Sequence, residues 1–130
     1  MKLVLNLVLG LNRAVLAEGL AYAAACGLDP AAALDILRAG PAYSRAMDVK
    51  GPRMLQGDYT PEARLAQHHK DVGLILASGA EAGASLPLSR VHDELLRAAE
   101  QAGLGEADNS AVYEVFRRRL FAKPSIDPVP

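Results

Sequence analysis

From Lys2 to about Cys26 the chain reads KLVLNLVLGLNRAVLAEGLAYAAAC, with no proline and with leucine and alanine dominant. That composition favours helix by intrinsic propensity. The pattern predicts one long helix, punctuated by Asn6, Arg13 and Glu18 along an otherwise apolar cylinder. A helix apolar nearly all round is expected to be covered by partners on several sides. GLDP then ends it: Gly27 suits a left-handed C-terminal cap, Asp29 an N-cap, and Pro30 the first position of a short second helix reaching about Ala39.

The next stretch, AGPAYSRAMDVKGPRMLQGDYTP, is rich in Gly and Pro and reads as an ordered, irregular connection with a helical turn or two around Tyr43 to Val49. A third long helix is predicted from about Pro61 to Ala82, with Leu65, Val72, Leu76 and Ala80 turned inward and Gly83 beyond its end. Ser85 or Pro87 starts another helix, running to Ala102 with Val91, Leu95 and Ala98 on its inner stripe. After the loop GLGEADNS, Asp108 or Asn109 caps a last helix through about Leu120. No stretch alternates apolar and polar residues over strand length, so the fold class is all-α, with six or so helices around the long apolar first one. The domain is expected to span 1–122, with a Pro-rich tail at 123–130 that is extended or frayed.

At 130 residues the chain is one domain, short for an enzyme that needs separate cofactor and substrate domains. Its formal net charge of −1 gives no field that favours nucleic acid or an anionic membrane. The run Arg117-Arg118-Arg119 is expected to be a solvated or a helix-end feature. Cys26 is the sole cysteine, which excludes an intramolecular disulfide, and it is expected to be a small core residue. The opening could mimic a secretory leader or a lipid-attachment signal ending at YAAAC, but Arg13 and Glu18 interrupt the region that a leader keeps uncharged. A membrane span needs about 20 apolar residues, and Asn6, Asn12, Arg13 and Glu18 are taken to exclude one. A cytoplasmic protein without membrane or nucleic-acid partners is the expectation.

Lys2 and Asn6, four residues apart, share a helical face. A lysine beside an amide can exchange a proton with a hydroxyl or carbonyl while the amide holds the substrate. A frayed terminal lysine and a hydrogen-bonded core asparagine fit the same spacing. His68 and His69 are adjacent and point about 100° apart on a helix, so they do not share an ion, and no metal is expected. Lys70 and Asp71 read as a solvated pair. No glycine-rich phosphate loop follows a strand, and the GLG at Gly103 to Gly105 is a helix cap and loop.

Taken in order, KLVLNLVLGLNRAVLAEGLAYAAACGLDP, LRAGPAYSRAMDVKGPRML, HHKDVGLIL and LPLSRVHDELLRAAEQAGLGEADNSAVYEVF resemble the C-terminal domain of the β-hydroxyacid dehydrogenases, the family of 3-hydroxyisobutyrate dehydrogenase and tartronate semialdehyde reductase, with 6-phosphogluconate dehydrogenase more distant. The resemblance runs from Lys2 to about Arg118. It implies that Lys2 is the general acid/base on the hydroxyl being oxidised, that Asn6 holds the substrate, and that Lys70 lies near an NAD or NADP cofactor. GPRM, at Gly51 to Met54, is associated with fold more than chemistry, and His68 is expected at the surface or on the substrate side. The family carries a Rossmann domain ahead of this region. With Met1 directly before Lys2, the expectation is a fragment or truncated form of a dehydrogenase that oxidises a small β-hydroxyacid to its semialdehyde, inactive and weak in cofactor binding alone, with homodimerisation. The alternative is a non-catalytic homodimerisation or interaction module derived from the same family.

Overall fold

The computed structural model describes residues 1–121; the predicted tail at 123–130 lies outside the described residues. The chain folds as α1 (Lys2–Ala25), α2 (Pro30–Ala39), α3 (Arg45–Val49), α4 (Gly51–Gln56), α5 (Leu65–Glu81) and α6 (Pro87–Gln101), then a 3-10 turn (Asn109–Val112) that runs directly into α7 (Tyr113–Arg117). The all-α architecture is observed: among the described residues the sole β feature is an isolated bridge between Arg64 and Asp108.

The long helix α1 touches every other element. Its inner stripe, from Leu3, Asn6 and Leu7 to Gly10, Arg13, Ala14, Ala17, Leu20 and Ala23, becomes fully buried from Gly10 onward. Leu16, Ala17 and Leu20 meet Leu34 of α2, Met47 of α3, Met54 of α4, Leu65 and Val72 of α5, Leu95 and Leu96 of α6 and Val112 and Val115 in a single core. The opposite face is open. Val4, Leu5, Val8, Leu9 and Val15 are exposed, so α1 is not enclosed on several sides as its composition predicts. The stripe fixes one face to the core, and the other helices do not wrap around to the second.

By length and mean hydropathy α1 could cross a bilayer, contrary to the expectation that its polar residues exclude a span. In this fold it is the core helix. Cys26 is another correction: it lies just past the end of α1, where the chain turns through Gly27 at φ +79°, and it is exposed rather than packed. The α1–α2 junction otherwise follows its predicted chemistry, with Asp29 Oδ1 accepting from the Ala31 amide at 3.1 Å and Pro30 opening α2.

The connection after α2 is more helical than its Gly and Pro content suggests. Gly51 lets α4 approach α2 so closely that an added Cβ would lie 2.8 Å from Leu34 Cδ1. Met54 enters the core, and Arg53 Nη2 donates to the Thr60 carbonyl. These are structural uses of the GPRM stretch.

Helix α5 begins at Leu65 rather than Pro61, because loop carbonyls claim the Leu65 and Ala66 amides that a longer helix would pair with the carbonyls of Pro61 and Glu62, while Asp108 holds the residues before it. Leu65 and Ala66 amides donate to Ala107 and Gly105 carbonyls at 2.8 Å, and Glu62 and Ala63 amides donate to Asp108 Oδ1 at 3.0 and 3.2 Å. The buried stripe of α5 is Leu65, His68, Val72, Ile75 and Gly79, leaving Leu76 half-buried and Ala80 exposed. On α6 it is Ser89, His92, Leu95, Leu96 and Ala99, so Val91 faces solvent. Each differs from the predicted stripe because a buried polar residue, His68 or His92, sits where apolar periodicity passes it over.

Asp108 pins the C-terminal segment to the rest. Fully buried, it accepts from Lys50 Nζ at 3.0 and 3.1 Å, from the Glu62, Ala63 and Ser110 amides, and from the Ser110 hydroxyl. Burial pushes its pKa up, but the Ser110 and Lys50 hydrogen bonds outweigh this and hold it well below the usual carboxylate range. Removing one partner of a buried pair strands the other charge and costs about 3–5 kcal/mol. Asp108→Ala, which strands buried Lys50, is expected to lose stability in that range in urea denaturation; a loss below about 1 kcal/mol would show that the pair does not hold the segment.

Candidate functional site

Between α1, α5 and the 3-10 turn lies a cavity of about 180 Å³ whose lining includes Asn6, Arg13, His68, Asp71 and Asn109. The helices that form the core also aim these side chains. Asn6, Gly10 and Arg13 follow one another at four and three residues along α1, which stacks them on a single face. Asn109 is held by its own amide, which donates to the Ala63 carbonyl at 2.8 Å.

Of the residues singled out in the sequence, Asn6 lines the cavity and meets Asp71 there. Lys2 is exposed in the first turn of α1, four residues before Asn6, and does not contribute to the lining. Lys70 is exposed on α5, beside Asp71 and also outside the lining. The structure therefore brings together half of the Lys2–Asn6 pair and half of the Lys70–Asp71 pair, and both lysines stand outside the lining.

Three basic side chains are buried around Gly10. The His68 and His92 rings lie 5.2 Å apart, centroid to centroid, tilted by 49°. A Cβ on Gly10 would fall 2.3 Å from His68 Nε2 and 2.9 Å from His92 Cε1, so both rings depend on the glycine. Of the two places anticipated for His68, the surface is ruled out: it is buried and lines the cavity with Asn6, and the absent Cβ opposite it on α1 makes the room. Burial, followed by the positive charge of Arg13, pushes the His68 pKa down to about 3 and that of His92 down to about 4. Burial also lowers Arg13 to about 10, against partial support from the Asp108 charge. Arg13 Nη1, His68 Nε2 and Asn109 Oδ1 are buried without a hydrogen-bond partner.

The sequence reading passed over Arg13, His92 and Asn109 as site residues. A signal existed for the first: Arg13 stands seven residues after Asn6, on the same helical face as a mid-helix glycine.

His69 points elsewhere. Its Nε2 lies 2.9 Å from Asp93 Oδ1 and its Nδ1 2.6 Å from Glu100 Oε1, which ties α5 to α6. Among the described residues no three His, Cys, Asp or Glu side chains come together as metal ligands.

A larger hollow, of about 650 Å³, lies between the start of α2, the end of α4 and α7. Its buried acid, Glu114, is already saturated by Tyr59 Oη at 2.8 Å and by Arg117 and Arg118 at 2.6–2.9 Å. Of the two readings of the three consecutive arginines, the helix-end one fits: Arg117 ends α7, Arg118 caps it, and both pair with Glu114.

The model of the family described as the NAD-binding domain of NADP-dependent 3-hydroxyisobutyrate dehydrogenase matches residues 1–116. The chain belongs to this family. Among curated relatives it is 35% identical over 118 residues to 2-(hydroxymethyl)glutarate dehydrogenase of Eubacterium barkeri, covering 90% of this chain and 39% of that protein. It is 36% identical over 117 residues to glyoxylate/succinic semialdehyde reductase 1 of Arabidopsis thaliana, covering 90% and 40%. In three dimensions it is similar to the crystal structure of 3-hydroxyisobutyrate dehydrogenase from Salmonella typhimurium, with a TM-score of 0.84, 28% identity and coverage of 88% of this chain and 40% of that one. The chain thus spans about two fifths of the length of these relatives.

The buried histidines of this family member set a pH dependence. Unfolded, each titrates near 6.5; folded, near 3 and 4, so between these limits the unfolded chain holds more protons and acid weakens the fold. At pH 5 the cost is about 2 kcal/mol per histidine. The melting temperature is expected to fall between pH 7 and 5 and the fall to shrink in His92→Gln; equal profiles would refute the assignment. Gly10→Ala is expected to destabilise the wild type, yet to add roughly 1 kcal/mol of helix propensity once His68→Ala and His92→Ala together have cleared the space, as thermal melts of the wild type, the glycine variant, the double-histidine variant and the triple variant would show.

Proposed function

We propose that this chain is the substrate-side, C-terminal domain of an NAD(P)-dependent β-hydroxyacid dehydrogenase, working with a nucleotide-binding domain. The observation that carries this reading is the cavity under Asn6, one helical turn from Lys2, in a chain of the 3-hydroxyisobutyrate dehydrogenase family. Asn6 holds the hydroxyacid through its amide. Lys2, at the open start of α1, takes the proton from the hydroxyl as the alcohol becomes a carbonyl, and returns it in the reverse direction. The nicotinamide cofactor supplies the hydride acceptor. Lys70 is exposed beside the cavity wall, and its charge fits a polar portion of that cofactor better than the core. The greater part of the grip on the dinucleotide belongs to the nucleotide-binding domain.

A second reading, a homodimerisation or interaction module without catalysis of its own, is favoured by the uncovered apolar face of α1. The two are compatible, since a dehydrogenase half can also supply subunit contacts.

Joined to a Rossmann domain of the family, the chain is expected to oxidise small β-hydroxyacids. Lys2→Ala should lower kcat by about 10²–10⁴-fold, the usual scale of general acid/base catalysis, and Asn6→Ala should raise KM. Unchanged turnover in the lysine variant would sink the catalytic assignment. On its own, the 130-residue chain is expected to sediment as a dimer with little turnover; a monodisperse monomer at micromolar concentration would count against the module reading.

A further inference from the structure

Three polar side chains meet the 180 Å³ hollow from two helices: Asn6 from α1, and Gln67 and Asp71 from α5. Gln67 and Asp71 stand four residues apart, one above the other on a single helical face. Asn6 and Asp71 are half-buried and Gln67 is exposed. Among the described residues no side-chain hydrogen bond or ion pair of Asn6, Gln67 or Asp71 is found, whereas Arg64, on the same wall, is committed to Glu106 at 2.9 Å. Arg13, His68 and Asn109 back the wall, but their unpartnered atoms are closed to solvent. The free hydrogen-bonding capacity of the hollow therefore lies with two amides and one carboxylate.

That capacity is weighted towards acceptors. Two amide oxygens and a carboxylate offer about eight lone pairs, against about four amide hydrogens. A wall of this kind, carrying the negative charge of Asp71, complements hydroxyl groups and repels a carboxylate. An alkyl group placed against it would displace water from the acceptors and give them no donor in return. At about 30 Å³ per water the hollow holds about six waters, room for one short substituent and little more.

We propose that Gln67, with Asp71 one turn further along α5, selects the substituent next to the oxidised carbon, and that the preferred substrates carry a hydroxyl there and not an alkyl group. The proposal rests on Asn6 facing the substrate, and it deepens that reading by naming the substrate class and the residue that selects it. With the substrate held at Asn6, across the hollow from α5, this hydroxyl donates to the Gln67 amide oxygen. Asp71 turns the substrate carboxylate out of the hollow.

The test compares glycerate with 3-hydroxyisobutyrate, which differ in one group on the middle carbon, a hydroxyl in the first and a methyl in the second. With the chain joined to a Rossmann domain of the family, glycerate is expected to show the higher kcat/KM by at least about tenfold. Gln67→Leu should erase that preference by raising the KM for glycerate, and Gln67→Glu, which keeps an acceptor, should retain it. Gln67 is exposed, so neither change disturbs the fold. A preference for 3-hydroxyisobutyrate, or a ratio that survives Gln67→Leu, would overturn the proposal and leave the dehydrogenase reading standing. If the joined protein turns over neither compound, the 130-residue chain is titrated with each at pH 7 and followed by NMR of the Gln67 side-chain amide. A shift with glycerate at a concentration where 3-hydroxyisobutyrate gives none supports the selecting wall even though the dehydrogenase reading has failed; equal shifts, or none, overturn both.

Discussion

Asp108 carries its charge with no exposed surface, and the segments that flank the site outside α1 are tied together by what it accepts. Lys50 brings it the end of α3; the Glu62 and Ala63 amides bring it the loop before α5; Ser110 brings it the 3-10 turn. A carboxylate is suited to this because it can accept several bonds from different directions, whereas the donors can each give few. Withdrawn from water, it must be satisfied completely, which makes the arrangement specific as well as strong. Asn109, which lines the cavity, is the very next residue, so the wall of the site is built on the same anchor.

The contrast with Arg13 is informative. Both are buried charges on elements that pack against one another, but Asp108 is met by a ring of donors while Arg13 has a guanidinium nitrogen facing nothing. A fold rarely keeps an unmet buried charge for stability alone, because an apolar residue of similar size would serve the core better. The two histidines beside it are held neutral and add no charge of either sign, so they leave the Arg13 cation unmet.

Much of the fold was legible in the sequence, because length and caps are written locally. Gly27, Asp29 and Pro30 define the α1–α2 junction through their own backbone preferences, and Gly83 marks the turn after α5 with φ +73°. The inner stripes of α5 and α6 were less legible, since a rule that looks for apolar spacing does not select His68 and His92. The start of α5 was misplaced for a related reason: its boundary is decided by Asp108 and Ala107, more than forty residues away. At the site, the sequence picked out Asn6 by its spacing from Lys2, but Gly10, Arg13 and His68 acquire meaning only together, through a contact between helices that no single helix records.

The shared stripe of α1 also limits how this site can diversify. Asn6 and Arg13 lie on the same face as Ala17 and Leu20, so one rotation angle places both the polar wall and the apolar core. Inserting or deleting one residue between Asn6 and Leu16 would turn the start of the helix by about 100° relative to its end, separating the two functions at once. Loop enzymes can vary the reach of a binding residue by changing loop length; here that route is closed. Change in ligand preference must instead come from substitutions at fixed positions, and the exchange of space between Gly10 and the ring opposite it is the kind of paired step that the backbone permits.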